Sequence, residues 1–217
     1  MQATISADIV ASTTFSVEDT VFLKSQMHSF FQQLEVSYPG CWGRLIKGDY
    51  IECYVPDASD AFRIALMLKT FIKSIGIKSE DKAFITYGVR IAIGIGTMRL
   101  VDRGQDLMDG EAIYRSGRAL AGMKNLLKGS LYVETGEASY QLAIQTVGML
   151  TDALLNQMTS RQSQVVFYKL QSKNEEDIAA LLGITQAGVN QHSSLAKWYS
   201  IEQALIYYEQ VNFDRYE

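Results

Sequence analysis

Two short stretches hold the residues whose types and spacing could do chemistry. In "ATISADIV" an aspartate, Asp8, interrupts what otherwise reads as a buried strand. An isolated carboxylate costs several kcal/mol to bury unless a cation or donors meet it, so Asp8 needs a partner. In "RLIKGDYIECY" a second aspartate, Asp49, follows Gly48 between two β-rich runs, the pattern of a tight hairpin turn. A strand carboxylate and one at a hairpin tip converge when the strand lies beside the hairpin. Their hard oxygens then suit Mg²⁺ or Mn²⁺, and two such ions can clamp a triphosphate and polarise an in-line attack. Each residue also has a plainer use. Asp8 can cap the following loop through backbone N–H groups, and Asp49 can serve only as the turn residue.

The elements that must position these residues follow from periodicity. After the first strand, "SVEDTVFLKSQMHSFFQQLEVSY" puts Leu23, Met27, Phe30, Phe31 and Leu34 on one helical face with Ser16 as cap. "WGRLIKGDYIECYV" reads as a hairpin, and "DASDAFRIALMLKTFIKSI" as a helix with Ala61, Ala65, Leu68 and Ile72 inward. "YGVRIAIGIGTM" is a strand whose glycines allow close backbone approach. Gly94 and Gly96 are not a dinucleotide fingerprint, because no helix N-terminus follows to receive a pyrophosphate. A Gly/Asp-rich loop, "VDRGQDLMDG", a helix from Glu111 to Met123 and a short strand, "LYVE", complete an α+β plan: a ferredoxin-like, largely antiparallel sheet with helices on one face.

With 217 residues, 47% hydrophobic and 20% charged, the chain can bury a sizeable core, and its net charge of −4 gives no global attraction to nucleic acid or anionic membranes. No apolar run reaches the length of a membrane helix and no signal-peptide pattern is present, so a cytoplasmic protein with no membrane partner is expected, its two cysteines, Cys41 and Cys53, kept as reduced, half-buried thiols.

Beyond residue 136 strand signals almost vanish. The reading divides the chain into an α+β domain over 1–135, a connecting helix over 136–150 and an all-α domain over 151–217. Within the last, "EEDIAALLGITQAGVNQHSSLAKW" spells a helix from Glu175 to Leu182, a turn at Gly183 and Ile184, and a second helix capped by Thr185. Ile178, Ala179, Leu182, Ile184 and Val189 form its apolar set. Gln186, Ala187, Asn190, Gln191 and Ser194 point outward, and Gln and Asn can read adenine edges in a major groove. Charge argues the other way: residues 151–217 carry five Lys and Arg against eight Asp and Glu, a net of −3, whereas phosphate neutralisation usually dominates affinity. A packing or dimerising role for the same helices, with Trp198, Tyr199, Tyr207 and Tyr208 in a core or interface, stays open.

"ISADIVAST", "KGDYIE" and "VRIAIGIG…DGEAIYRSGRAL" together resemble the class III nucleotidyl cyclase domain over roughly residues 1 to 135. The same pieces resemble SatD-like bacterial proteins, and the C-terminal segment resembles region four of sigma factors. The cyclase resemblance implies a homodimer that takes a nucleotide, two metal-binding aspartates at Asp8 and Asp49, a transition-state arginine at Arg118 and a base-reading lysine in the region of Lys47. Departures accompany it. Tyr114 stands where the family carries an asparagine four residues before the arginine, the hairpin is about two residues short, and Asp106 and Asp109 compete for the other base-reading position. The reading is therefore a transcriptional regulator with a degenerate cyclase-like dimerising or nucleotide- and metal-sensing domain and a DNA-binding helix-turn-helix. DNA contacts fall on Thr185, Gln186, Asn190, Gln191 and Ser194. The alternatives are an active two-metal nucleotidyl cyclase and a non-catalytic interaction protein.

Overall fold

Alternation along the first strand decides the layering. β1 (Gln2–Ile9) directs Ala3, Ile5, Ala7 and Ile9 to one face and Thr4, Ser6 and Asp8 to the other, and both sets are buried. A strand buried on both faces needs cover on both. The structure, a computed structural model, describes residues 1–46, 48–77, 79–125 and 129–214. In chain order its elements begin with α1 (Val17–Ser37), β2 (Trp42–Ile46), β3 (Tyr50–Val55), α2 (Ala61–Ser74), α3 (Lys82–Tyr87) and β4 (Val89–Gly96). They continue with β5 (Met98–Asp102), β6 (Leu107–Gly110), α4 (Glu111–Asn125), β7 (Leu131–Glu134) and α5 (Ala138–Asn156), and end with α6 (Ser160–Leu170), α7 (Glu175–Leu182), α8 (Gln186–Leu195) and α9 (Trp198–Glu209).

The main sheet runs β2-β3-β1-β4-β7, antiparallel except for β4 against β7. Its first four strands have the split βαβ order. The expectation of helices on one face is corrected: α1 and α2 cover the Ile5 and Ile93 side, while α4 lies across the opposite side of β1 and β4. Small residues make the second layer possible. Thr4 Oγ1 and Ser6 Oγ each sit 2.8 Å from Ser116 Oγ of α4. At Gly94 a Cβ would stand 2.2 Å from the Ala112 carbonyl oxygen, so α4 rests directly on strand backbone. The segment read as a Gly/Asp-rich loop is also corrected. It folds as the β5–β6 hairpin, because alternation in "MRLVD" pairs with "LMDG" across a turn closed by Asp102, whose side chain accepts from the Gln105 N–H at 3.0 Å.

Caps explain the helix starts. Ser16 accepts from Asp19 N, Asn174 from Asp177 N and Thr185 from Gly188 N. Gly183 ends α7 in the left-handed region at φ 63°, which lets the chain reverse into α8. The division expected between residues 150 and 151 falls inside α5. Leu155, Phe167, Leu170, Leu205 and Tyr208 from the C-terminal helices join the same core as Ile5, Phe30 and Phe62, and Tyr208 stacks on Phe62 with ring centroids 5.0 Å apart. Helices α7 and α8 close a smaller cluster of Ile178, Ala179 and Val189 against Val165 of α6. Both cysteines are free and fully buried, deeper than the half-buried state expected. None of the described helices is long and apolar enough to cross a membrane.

Two lysines one turn apart on α2 tie these layers together. Lys69, fully buried, donates to Ser130 Oγ at 2.7 Å, to the Tyr87 and Val89 carbonyls at 3.0 and 3.3 Å, and pairs with Asp152 at 3.3 Å. Lys73 donates to the Thr86, Leu155 and Asn156 carbonyls. Burial pushes Lys73 down to about 8, with the Lys69 charge adding to the shift. Lys69→Ala leaves the buried Asp152 carboxylate without its cation. It is expected to cost about 3–5 kcal/mol, seen as a lower denaturant midpoint, and Asp152→Asn, which keeps a group for the Ser130 N–H, is expected to cost less. A lysine depressed on folding leaves the unfolded chain holding more protons between pH about 8 and its ordinary 10.5. Stability therefore rises with pH across that window. Chemical denaturation of wild type and Lys73→Met at several pH values checks this: the difference between them should move in favour of wild type from pH 8 upward.

Candidate functional site

The β1, β3 and β4 ends that meet near Asp8 form the candidate site. Asp8 lies opposite Tyr50 on β3 and Arg90 on β4, and is 5% exposed. Arg90 grips it from the side, Nε donating to Oδ1 at 3.2 Å and Nη2 to Oδ2 at 2.8 Å. This bidentate geometry is the strong form of a carboxylate pair. Asp49 arrives from the hairpin with its backbone beside β1: the Ile9 N–H donates to the Asp49 carbonyl at 3.1 Å. Its carboxylate accepts instead from Ser12 Oγ at 2.8 Å, in the loop after β1. A cavity of about 210 Å³ in front of Asp49 is walled by Ser12, Thr13, Phe15 and Leu23.

The two aspartates are thus brought together by backbone pairing while their carboxylates serve different partners. As arranged they do not fit a divalent cation. Both oxygens of Asp8 face a guanidinium, and no group of three or more His, Cys, Asp and Glu among the described residues could hold a metal ion. Sequence reasoning did not anticipate Arg90. The signal was there, since an arginine at the second position of the apolar run "VRIAIGIG" lands beside Asp8 once β4 pairs with β1.

The remaining residues of the cyclase-like reading lie on α4 and the β5–β6 hairpin. Tyr114 is 54% exposed, and its hydroxyl donates to the Asp109 carboxylate. The Tyr114 hydroxyl, then Arg99, hold Asp109 below the ordinary carboxylate range. Asp106 sits at the hairpin tip, where its carbonyl accepts from Arg44. Arg118 Nε donates to the Tyr114 carbonyl at 3.1 Å within its own helix, and the side chain borders a cavity of about 420 Å³ with Arg115, Tyr132 and Glu134. Lys47 lies outside the described residues.

On the C-terminal helices, Thr185, Gln186, Asn190, Gln191 and Ser194 are all exposed, while Val189 and Ser193 of the same helix are buried. The side facing away from α6 is therefore polar and uncharged at these five positions.

Removing the guanidinium from Asp8 tests the electrostatics directly. Arg90→Ala is expected to lower stability by about 2 kcal/mol, discounted from a fully buried pair because Arg90 is partly exposed. Millimolar Mn²⁺ should leave the wild-type Tm unchanged and raise that of Arg90→Ala. A wild-type Tm raised by Mn²⁺, and no longer raised in Asp8→Asn, would show that the aspartate holds metal despite the arginine.

No family model and no curated protein matches the chain. Among solved structures, that of a bacterial light-regulated adenylyl cyclase is similar over 61% of this chain and 74% of that chain, with 17% sequence identity and a TM-score of 0.45.

Proposed function

We propose that the chain is a DNA-binding regulator acting in the cytoplasm, in which α8 reads the major groove and the cyclase-like α+β layer pairs two copies without performing two-metal catalysis. The observation that carries this reading is the partition of α8. Its apolar side is spent on Val165 and Ile178, and its outward side offers Gln186, Asn190, Gln191 and Ser194 with Thr185 at the cap. Amide side chains at such a surface match the donor and acceptor edges of adenine. The bidentate hold of Arg90 on Asp8, and Tyr114 in the position of an amide, support a layer that no longer turns over nucleotide.

An acidic C-terminal segment obtains little from phosphate contacts, so one copy binds weakly. Two copies joined by the α+β layer make the second contact intramolecular, which can raise affinity by about 10²–10⁴-fold without added basic residues. Selection of genomic fragments by the intact chain should return a two-part element with half-sites about 34 Å apart. Gln186→Ala with Asn190→Ala should weaken binding to that element by about tenfold or more at fixed low salt. Retention of no sequence, or binding unchanged by the double substitution, would move the assignment to a non-catalytic interaction protein. Cyclic nucleotide made by the purified chain with Mn²⁺, and lost in Asp49→Ala, would move it to a cyclase.

A further inference from the structure

Helix α5 is 19 residues long and carries one charged residue, Asp152, which is buried against Lys69. Its inner sides are engaged. Ile144, Gly148 and Leu155 are buried, and two glutamines close the outer edge of β7. The Val133 N–H donates to Gln145 Oε1 at 2.9 Å, the Thr135 N–H to Gln141 Oε1 at 2.7 Å, and Gln141 Nε2 to the Val133 carbonyl at 2.7 Å. The remaining side of the helix faces water without a charge. A surface helix ordinarily sets charged residues opposite its apolar stripe, and one that is apolar on both sides is ordinarily covered on both.

Leu142, Leu150 and Met149 are 79%, 65% and 52% exposed, and Ala143, Thr146 and Ala153 are exposed between them. Thr146 adds no demand for water, because its hydroxyl donates to the Leu142 carbonyl at 2.7 Å. Leu142, Thr146, Met149 and Ala153 recur at spacings of 4, 3 and 4 residues, the seam of a two-helix pair. Large and small side chains alternate along it. Set a second α5 antiparallel, with a twofold axis between positions 147 and 148, and Leu142 meets Ala153 of the copy while Thr146 meets Met149. Every large side chain then faces a small one, the arrangement that fills space between helices. A parallel pair would crowd Leu142 against Leu142 and leave Ala153 against Ala153.

We propose that this face of α5 is where two copies of the chain meet, antiparallel about a twofold axis. The inference rests on the reading above for what pairing serves, and names its surface: α5 lies along the β7 margin of the α+β layer. A twofold contact must be self-complementary, and this face is so in shape and in lack of charge. It offers nothing to match a charged peptide, and no basic residue to hold an anionic lipid surface. Its footprint, about 17 Å long and about 10 Å wide, is well below the roughly 800 Å² per copy of a standard stable interface. Association in solution is therefore weak and reversible, and becomes complete when both copies are held at neighbouring sites.

Sedimentation of the full chain should show a monomer–dimer equilibrium with a midpoint of about 10–100 μM. Met149→Glu, at an exposed position, should weaken it at least tenfold and leave the Tm unchanged. Leu142→Cys mixed with Ala153→Cys should cross-link under mild oxidation much faster than either variant alone. The native Cys41 and Cys53 are buried and do not compete. A chain that stays monomeric at millimolar concentration, a dimer untouched by Met149→Glu, or faster cross-linking of Leu142→Cys to itself would overturn the proposal. So would binding of a monomeric chain to phosphatidylcholine vesicles that Met149→Glu abolishes, which would assign the face to a lipid surface. A dimer that Met149→Glu dissolves, in a chain that selects no genomic sequence, would uphold this contact and overturn the DNA reading. A selected two-part element bound equally by wild type and Met149→Glu would do the reverse.

Discussion

The ammonium of Lys69 is the point at which α2, the sheet and α5 meet. It reaches from α2 to the start of β4, to the end of α3, to Ser130 before β7 and to Asp152 in α5. Asp152 in turn accepts from the Ser130 N–H and hydroxyl. A charge taken out of water costs several kcal/mol, and burial accordingly pushes Lys69 down while the Asp152 carboxylate opposes the shift. The cost is met only if all these acceptors arrive together. One buried cation thus makes the seating of α5 conditional on the closing of the sheet, and through α5 the rest of the C-terminal helices follow.

Much of the fold was legible because the patterns were regular. The α1 and α2 stripes, the Gly48–Asp49 turn, the Ser16 and Thr185 caps and the apolar set of α7 and α8 stand where alternation and helical spacing put them. What escaped was what depends on a distant partner. Lys69 falls on the stripe of Ala65 and Ile72, one polar residue among core positions, and only the tertiary arrangement shows the acceptors that allow it. The second helical layer was legible only in part: the glycines of β4 signal a close backbone approach, which α4 makes at Gly94, while the helix that approaches and its bond to Ser6 come from the tertiary arrangement.

The candidate site was legible as residue types and not as their pairing. Asp8 needed a counter-charge, and the sequence reading looked to a metal ion because a second carboxylate stood nearby. The sheet supplies an arginine. A cross-strand guanidinium makes Asp8 part of the scaffold that holds three strand ends in register, and Asp49 steadies the adjoining loop through Ser12. Each of the two carboxylates therefore has a structural task of its own.

The outer edge of β7 is closed by side chains of α5: the Val133 and Thr135 N–H groups donate to Gln145 Oε1 and Gln141 Oε1, and Gln141 Nε2 donates to the Val133 carbonyl. A sheet edge with unpaired backbone groups is a template for another strand. At Val133 and Thr135 that template is already taken, so two amide side chains do for this margin of the sheet what a sixth strand would do.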